Sequence, residues 1–155
     1  MKRVTWSVVV MVAFFLLTAG LSTAAPNPTI KDAKALVDKA IAYYNANGLD
    51  KTIAEVNNPK GQLQKDGLYV VIQDFKGIIL ANGGNPSLVG QNHWDVKDPN
   101  GKYFVREHIE IAKTKGSGTV DFVWVNPATK KVQAKTNYLK RIEGKDFYFM
   151  AGVFN

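Results

Sequence analysis

The chain has 155 residues, of which 46% are hydrophobic and 21% charged, a composition that excludes a disordered tail and a multi-span membrane protein. It contains no cysteine, which excludes disulfide scaffolds, thiolate metal sites and cysteine nucleophiles. Its 20 basic and 13 acidic residues give a net charge of +7. Because the lysines are spread along the chain rather than clustered, we expect a solvated basic surface and no nucleic-acid partner.

The first 24 residues predict a signal peptide. A basic start at residues 1–3 precedes an apolar run over 4–21, and small residues follow over 22–24, where a signal peptidase would cleave. The alternative is an uncleaved anchor helix, since the apolar run approaches the length of a membrane span. We therefore expect one exported domain over 25–155, periplasmic or secreted, with membrane anchoring as the alternative.

Two helices are predicted at the start of this domain. Apolar residues recur at helical spacing between a capping-box-like start at Thr29 and Asp32 and a stop at residues 47–48. A second, short helix is predicted over 50–56, with Asp50 as its N-cap.

The pattern then changes to that of strands. A β-branched and aromatic hairpin is followed by a Gly- and Asn-rich loop, one more helix and three further strands. The predicted strands cover 68–75, 78–81, 119–125, 131–142 and 147–154, and the predicted helix covers 104–115. Helices first and adjacent strands afterwards predict an α+β domain with an antiparallel sheet.

An ordered set of residues over 30–155 carries a family resemblance. The set comprises Leu68–Phe75, Gly77, Gly90, Trp94, Asp98, Gly101, Gly118, Phe122, Trp124, Asn126-Pro127, Lys135, Tyr138 and Ala151–Phe154. In this order it resembles the single-unit form of the Cache family of extracellular, PAS-like sensor domains. The resemblance implies a long N-terminal helix packed on an antiparallel sheet of about five strands. It also implies a ligand pocket between one face of the sheet and the loops and helix that cover it.

The same resemblance implies a function. Cache domains bind small organic molecules, often short carboxylates such as acetate, propionate, pyruvate or lactate, so we expect a small, anionic organic ligand. Because the sequence ends at Asn155, directly after the last strand, we expect a sensor module without its own signalling domain. Its expected partners are a separate membrane receptor or kinase, and a second copy paired through the N-terminal helix.

A ligand carboxylate that loses its water needs a cation or N–H donors in return. Lys135 lies in the middle of a predicted strand and is the family-matched candidate, the alternative being an outward-facing lysine. Strand alternation puts Phe122 and Trp124 on one face, as a pocket wall or as plain core. Arg106 either clamps a carboxylate or pairs with Glu110. The predicted ligand-binding residues are Trp124, Phe122, Lys135, Tyr138, Trp94, His93, Arg106, Phe104 and Tyr69.

Metal, cofactor and catalytic chemistry are not predicted. A calcium-loop-like spacing from Val96 to Glu107 is rejected, because Val96 has no side-chain oxygen and Pro99 stiffens the loop. His93 is a loop residue that either hydrogen-bonds the ligand or is a plain loop histidine, and His108 is predicted to be a satisfied core histidine. Two other functions stay open: a small isomerase-type enzyme with an acid or base in a polar cavity, and a secreted interaction or inhibitor module.

Overall fold

The computed structural model describes residues 27–155. The predicted signal peptide, its cleavage site and the alternative anchor helix lie outside these residues. None of the helices within the described range combines the length and hydropathy that crossing a bilayer requires.

Two consecutive helices open the fold. Helix α1 spans Ile30–Asn47, and its start is the predicted capping box: Thr29 Oγ1 accepts a hydrogen bond from the Asp32 N–H while Asp32 accepts one from the Thr29 N–H. Helix α2 spans Leu49–Asn57 and begins at Gly48, which has a φ of 79° and caps α2 without a side chain. The prediction that Asp50 is the N-cap of α2 is therefore wrong, because Asp50 lies in its first turn.

The sheet contains six antiparallel strands rather than about five. They are β1 Gln64–Lys65, β2 Leu68–Asp74, β3 Ile79–Asn82, β4 Ser117–Val125, β5 Val132–Arg141 and β6 Phe147–Phe154. Their order is β1-β2-β6-β5-β4, with β3 also pairing with β2. The additional strand is β1, whose two residues are too few to give a strand pattern in the sequence.

Both faces of the central strands are covered. Helix α1 buries Ala33, Val37 and other apolar residues against one face, where Phe149 of β6 also points. Helix α3, Phe104–Thr114, packs on the opposite face, where Tyr148 of the same strand points. Because successive strand residues face opposite sides, a strand covered on both faces is buried almost throughout, as β6 is.

The loop between β3 and α3 crosses the α3 face of the sheet and is held there by Asp98. Its carboxylate accepts backbone N–H bonds from Asn100 and Lys102, both at 2.9 Å, and from Val123 of β4 at 3.0 Å. The bond from Val123 satisfies a donor of the edge strand β4, and together the three bonds fix the loop over the sheet. The space between sheet, loop and α3 is where a ligand pocket was predicted.

Candidate functional site

A cavity of about 50 Å³ lies between the sheet and α3. By volume it has room for about two to four water-sized groups. Its lining is mixed: apolar side chains come from all sides, and the polar ones are Tyr69, Gln73, Asn82, His93, Lys135 and Asn137. The cavity can therefore enclose a very small molecule that has one polar end.

One wall of the cavity is aromatic. Phe104 at the start of α3 stacks on Phe122 of β4, with ring centroids 4.4 Å apart and planes at 8°. Trp124 meets the edge of Phe104 at 5.2 Å. The prediction that Phe122 and Trp124 share a face is confirmed, since both line the cavity together with Phe104. Phe122 is also core, with only 7% of its surface exposed.

Lys135 lies next to this wall, facing inward from β5. It pairs with Phe122 in the β4–β5 register, and only 5% of its surface is exposed. Its Nζ donates a hydrogen bond of 2.9 Å to the Tyr69 hydroxyl, and lies 4.7 Å from the ring centroids of Tyr69 and of Phe154. The alternative of an outward-facing lysine is therefore wrong. Within residues 27–155 no carboxylate pairs with Lys135.

Burial changes the acid–base properties of this pair. It lowers the pKa of the Lys135 ammonium to about 7, because removing a charge from water favours the neutral amine. It raises the pKa of the Tyr69 hydroxyl to about 12, so that the phenol stays neutral at physiological pH. The cavity thus contains a neutral phenol beside an amine that titrates near neutrality.

Close packing on Gly84 holds Tyr69 in place. An added Cβ at Gly84 would lie 2.5 Å from the Tyr69 ring, so the ring rests directly on the backbone of the loop after β3. This contact needs a residue without a side chain, and it aims the Tyr69 hydroxyl at Lys135.

Asn137 is a cavity residue that was not predicted. It lies two positions after Lys135 on β5, so strand alternation places both side chains on one face. Its Nδ2 lies 3.4 Å from Nε2 of His108, while its Oδ1 has no hydrogen-bond partner among the described residues. The parity of Asn137 with Lys135 was the signal that could have identified it.

His108 is a core histidine, as predicted, but it is not fully satisfied. Its ring is wholly buried among Phe104, Phe122 and Tyr148, and its Nδ1 has no partner within residues 27–155. Burial, with smaller effects from the charges of Lys135 and Lys102, lowers its pKa to about 3. His108 is therefore neutral throughout the physiological range.

His93 reaches the cavity from the loop after β3. Only 8% of its surface is exposed, and its Nε2 lies 3.5 Å from Oε1 of Gln91. Its ring is tilted against Trp124 with centroids 6.5 Å apart, and burial lowers its pKa. His93 is thus placed where a ligand contact was expected.

Tyr138 does not reach the cavity. It directly follows Asn137 on β5, so its side chain emerges on the other face, where it packs against the α1 side of the core. Lys34 of α1 lies 6.0 Å above its ring. Tyr138 lies three positions after Lys135, and strand alternation therefore directs the two side chains to opposite faces of the sheet.

Arg106 and Trp94 lie on the outer surface. The Arg106 guanidinium pairs with Asp95, donates to the Trp94 carbonyl at 3.1 Å and lies 3.8 Å from the Tyr103 ring centroid. Its partner is thus Asp95 rather than Glu110, and its charge is directed away from the cavity. Trp94 is 38% exposed and does not line the cavity.

We predict that Arg106→Ala leaves acid binding within about twofold of the wild-type affinity, since the guanidinium pairs with Asp95 at the surface and does not line the cavity. Titration calorimetry with a short carboxylate measures this. A loss of affinity of more than tenfold would show that Arg106 contributes to ligand binding.

In the described part of the chain, no three His, Asp or Glu side chains come together as a metal site requires. The polar groups of the cavity are amine, phenol, amide and imidazole, which suit hydrogen bonding to a small organic ligand.

The amino-acid sequence that builds this sheet and cavity matches a known family. Residues 23–155 match the family described as Single Cache domain 2. The chain belongs to this family. The predicted fold class, a Cache-like α+β domain with a long N-terminal helix on a PAS-like sheet, is thereby confirmed. Members of the family are sensor domains, which favours the sensor interpretation over the isomerase alternative.

Solved structures share this fold. A methyl-accepting chemotaxis protein from Vibrio parahaemolyticus RIMD 2210633 superposes with a TM-score of 0.65 at 24% identity, over 80% of this Cache chain and 86% of that chain. The periplasmic sensor domain of a chemotaxis protein gives 0.63 at 22%, over 81% and 89%. A Cache chemosensory domain that recognises carboxylic acids gives 0.62 at 21%, over 81% and 87%.

A sequence relative is the methyl-accepting chemotaxis protein McpP of Pseudomonas putida, 26% identical over 86 residues. The match covers 56% of this chain but only 16% of that protein. The relative is therefore a much longer receptor, of which this Cache chain matches a part.

Proposed function

We propose that this Cache domain is an exported sensor module whose cavity binds a short organic acid. The observation that carries the proposal is Lys135, a lysine with 5% exposure that faces a cavity and has no carboxylate partner in the described range. A buried cation without a counter-ion is costly, and a ligand carboxylate would supply the missing charge. Export is supported by the signal-peptide pattern of the N-terminus and by the periplasmic relative.

The shape of the cavity supports one orientation of the ligand. The carboxylate faces Lys135, with Tyr69 beside it as a neutral hydroxyl donor. The short apolar remainder lies against Phe104, Phe122 and Trp124. His93 and Asn137 complete the polar edge.

The size of the cavity narrows the ligand class. A volume of about 50 Å³ suits a molecule of the size of acetate, and a longer acid requires side chains to move. Acids of two or three carbons are therefore the proposed ligands. Pairing of two copies through α1 and communication with a separate receptor or kinase stay predictions.

A thermal-shift series tests the proposal. Acetate, propionate, pyruvate and lactate should raise the melting temperature at pH 6. At a ligand concentration one hundred times the dissociation constant, the free energy of unfolding should rise by about 2.7 kcal/mol. Acetamide at pH 6, hexanoate, amino acids and purines serve as comparison ligands and should have little effect. If a purine or an amino acid stabilises the protein and no short acid does, the proposal is wrong. An interaction module would respond to none of these compounds.

A further inference from the structure

The ammonium of Lys135 is poorly solvated when the cavity is empty. An ammonium has three N–H donors, and the described residues give Nζ one hydrogen-bond partner, the Tyr69 hydroxyl. The two ring faces at 4.7 Å, Tyr69 and Phe154, offset part of the cost of burying a charge but do not accept hydrogen bonds. The structure therefore favours a neutral amine in the empty site.

Groups that face Lys135 from the neighbouring elements do not supply a compensating negative charge. Tyr69 on β2 is a neutral phenol, and β4 and β6 contribute Phe122 and Phe154. Helix α3 contributes His108, and the loop after β3 contributes His93; burial lowers the pKa of both imidazoles, which disfavours a charge on either ring. Of the hydrogen-bonded pair, Lys135 is the member that titrates near neutrality, since its pKa is about 7 and that of Tyr69 about 12.

We propose that the cavity takes up a short acid together with one proton, so that the recognised species is the net-neutral pair of carboxylate and ammonium. This inference rests on the proposed function and adds a property to it: occupancy reports the acidity of the surroundings as well as the acid concentration. A carboxylate in contact with Nζ favours the charged form of the lysine, so a proton absent from the empty site is bound with the ligand.

The sign of the pH dependence follows from this linkage. Below pH 7 Lys135 already has its proton, and affinity is independent of pH until the ligand carboxyl itself protonates. Above pH 7 each binding event must draw a proton from solution, so affinity falls by about tenfold per pH unit. The fall continues until the pH reaches the raised pKa of the occupied site.

The relative affinity of the site for a carboxylate and for an uncharged amide should also change with pH. A neutral amine beside a neutral phenol can hydrogen-bond an uncharged amide without taking up a proton. Acetamide has the shape of acetate, so its affinity relative to that of acetate should rise by up to about three hundredfold as the pH increases from 6 to 8.5.

Calorimetry of the wild-type protein with acetate tests the proposal without any variant. At pH 8.5 the apparent binding enthalpy should differ between phosphate and Tris, two buffers with different ionisation enthalpies. The slope of binding enthalpy against ionisation enthalpy should correspond to about one proton taken up. At pH 6 the slope should be near zero. Equal affinity at the two pH values with no proton uptake overturns the inference and leaves acid binding intact.

Direct titration of the lysine separates this inference from the proposed function. The Cε and Hε resonances of Lys135, assigned by their absence in Lys135→Met, should titrate near pH 7 in the empty protein and higher with acetate. Lys140→Met is the matched control, since Lys140 is on the same strand but half-exposed and paired with Asp38. A midpoint near 10.4 overturns the inference whether or not acids bind. If acetate, propionate, pyruvate and lactate all fail to bind at pH 6, the proposed function and this inference fall together, even with a midpoint near 7.

Discussion

Lys135→Met is expected to weaken acid binding strongly while raising the stability of the empty protein. Removing one partner of a buried charge pair costs about 2–5 kcal/mol, so the affinity for acetate should fall by about thirtyfold to several thousandfold. Methionine fills the same volume without a charge, so the empty cavity no longer contains a poorly solvated amine.

The stability gain depends on pH in a defined direction. The pKa of Lys135 is lowered in the folded state to about 7 from an unfolded value near 10.4. Between these values the unfolded chain binds the additional proton, so the stability of the wild type rises with pH across this window. The burial penalty is full below pH 7 and absent above pH 10.4. Lys135→Met should therefore exceed the wild type by a few kcal/mol at pH 6 and by much less at pH 10.

Chemical denaturation of both proteins at pH 6, 8 and 10, with acetate titrations at pH 6, measures the two effects. Lys140→Met should be less stable than the wild type, because it removes the Lys140–Asp38 pair at 2.9 Å, which raises the pKa of Lys140. It should bind acetate as the wild type does. A Lys135→Met protein that is less stable than the wild type at pH 6 would show that the amine supports the fold. Unchanged acetate binding would remove Lys135 from the site.

Strand parity explains which site residues could be predicted from the sequence. Phe122 and Trp124 differ by two positions and line the cavity together, and the same rule places Asn137 beside Lys135. Tyr138 was assigned to the site through the family resemblance although its offset from Lys135 is odd, and it lies on the α1 face. Alternation along β5 is enough to exclude Tyr138 from a pocket that contains Lys135, because neighbouring strand residues point to opposite faces.

Other features depend on contacts that no local pattern encodes. Arg106 is directed outward because Asp95 and the Trp94 carbonyl meet it there, and these residues approach it only when the loop folds over the sheet. The contact of Tyr69 with Lys135 joins residues 66 positions apart. The helices and long strands, in contrast, follow from periodicity and caps, which are local.

Gly152→Ala is expected to destabilise the protein severely and to disturb the cavity. Gly152 of β6 pairs with Asn137 of β5, and an added Cβ would lie 1.9 Å from Asn137 Oδ1 and 2.7 Å from the Thr136 carbonyl oxygen. Neither distance is tolerable, so the strands must separate or the Asn137 side chain must turn. Such overpacking costs about 1–3 kcal/mol, and more where backbone has to move.

A double-mutant cycle separates the two clashes. Asn137→Ala alone removes weak contacts, to His108 Nε2 at 3.4 Å and Met150 Sδ at 3.5 Å, and should cost about 1 kcal/mol. Combined with Gly152→Ala, it removes the closer clash. The double variant should therefore be more stable, by at least about 1 kcal/mol, than the sum of the two single effects predicts. Recovery should be incomplete, because the Thr136 carbonyl belongs to the backbone. Denaturant unfolding of the four proteins measures the coupling, and strict additivity would mean that the amide of Asn137 is free to turn away. In that event the unpartnered Oδ1 does not fix the position of Asn137, and the polar edge of the cavity is set by Lys135, Tyr69 and His93.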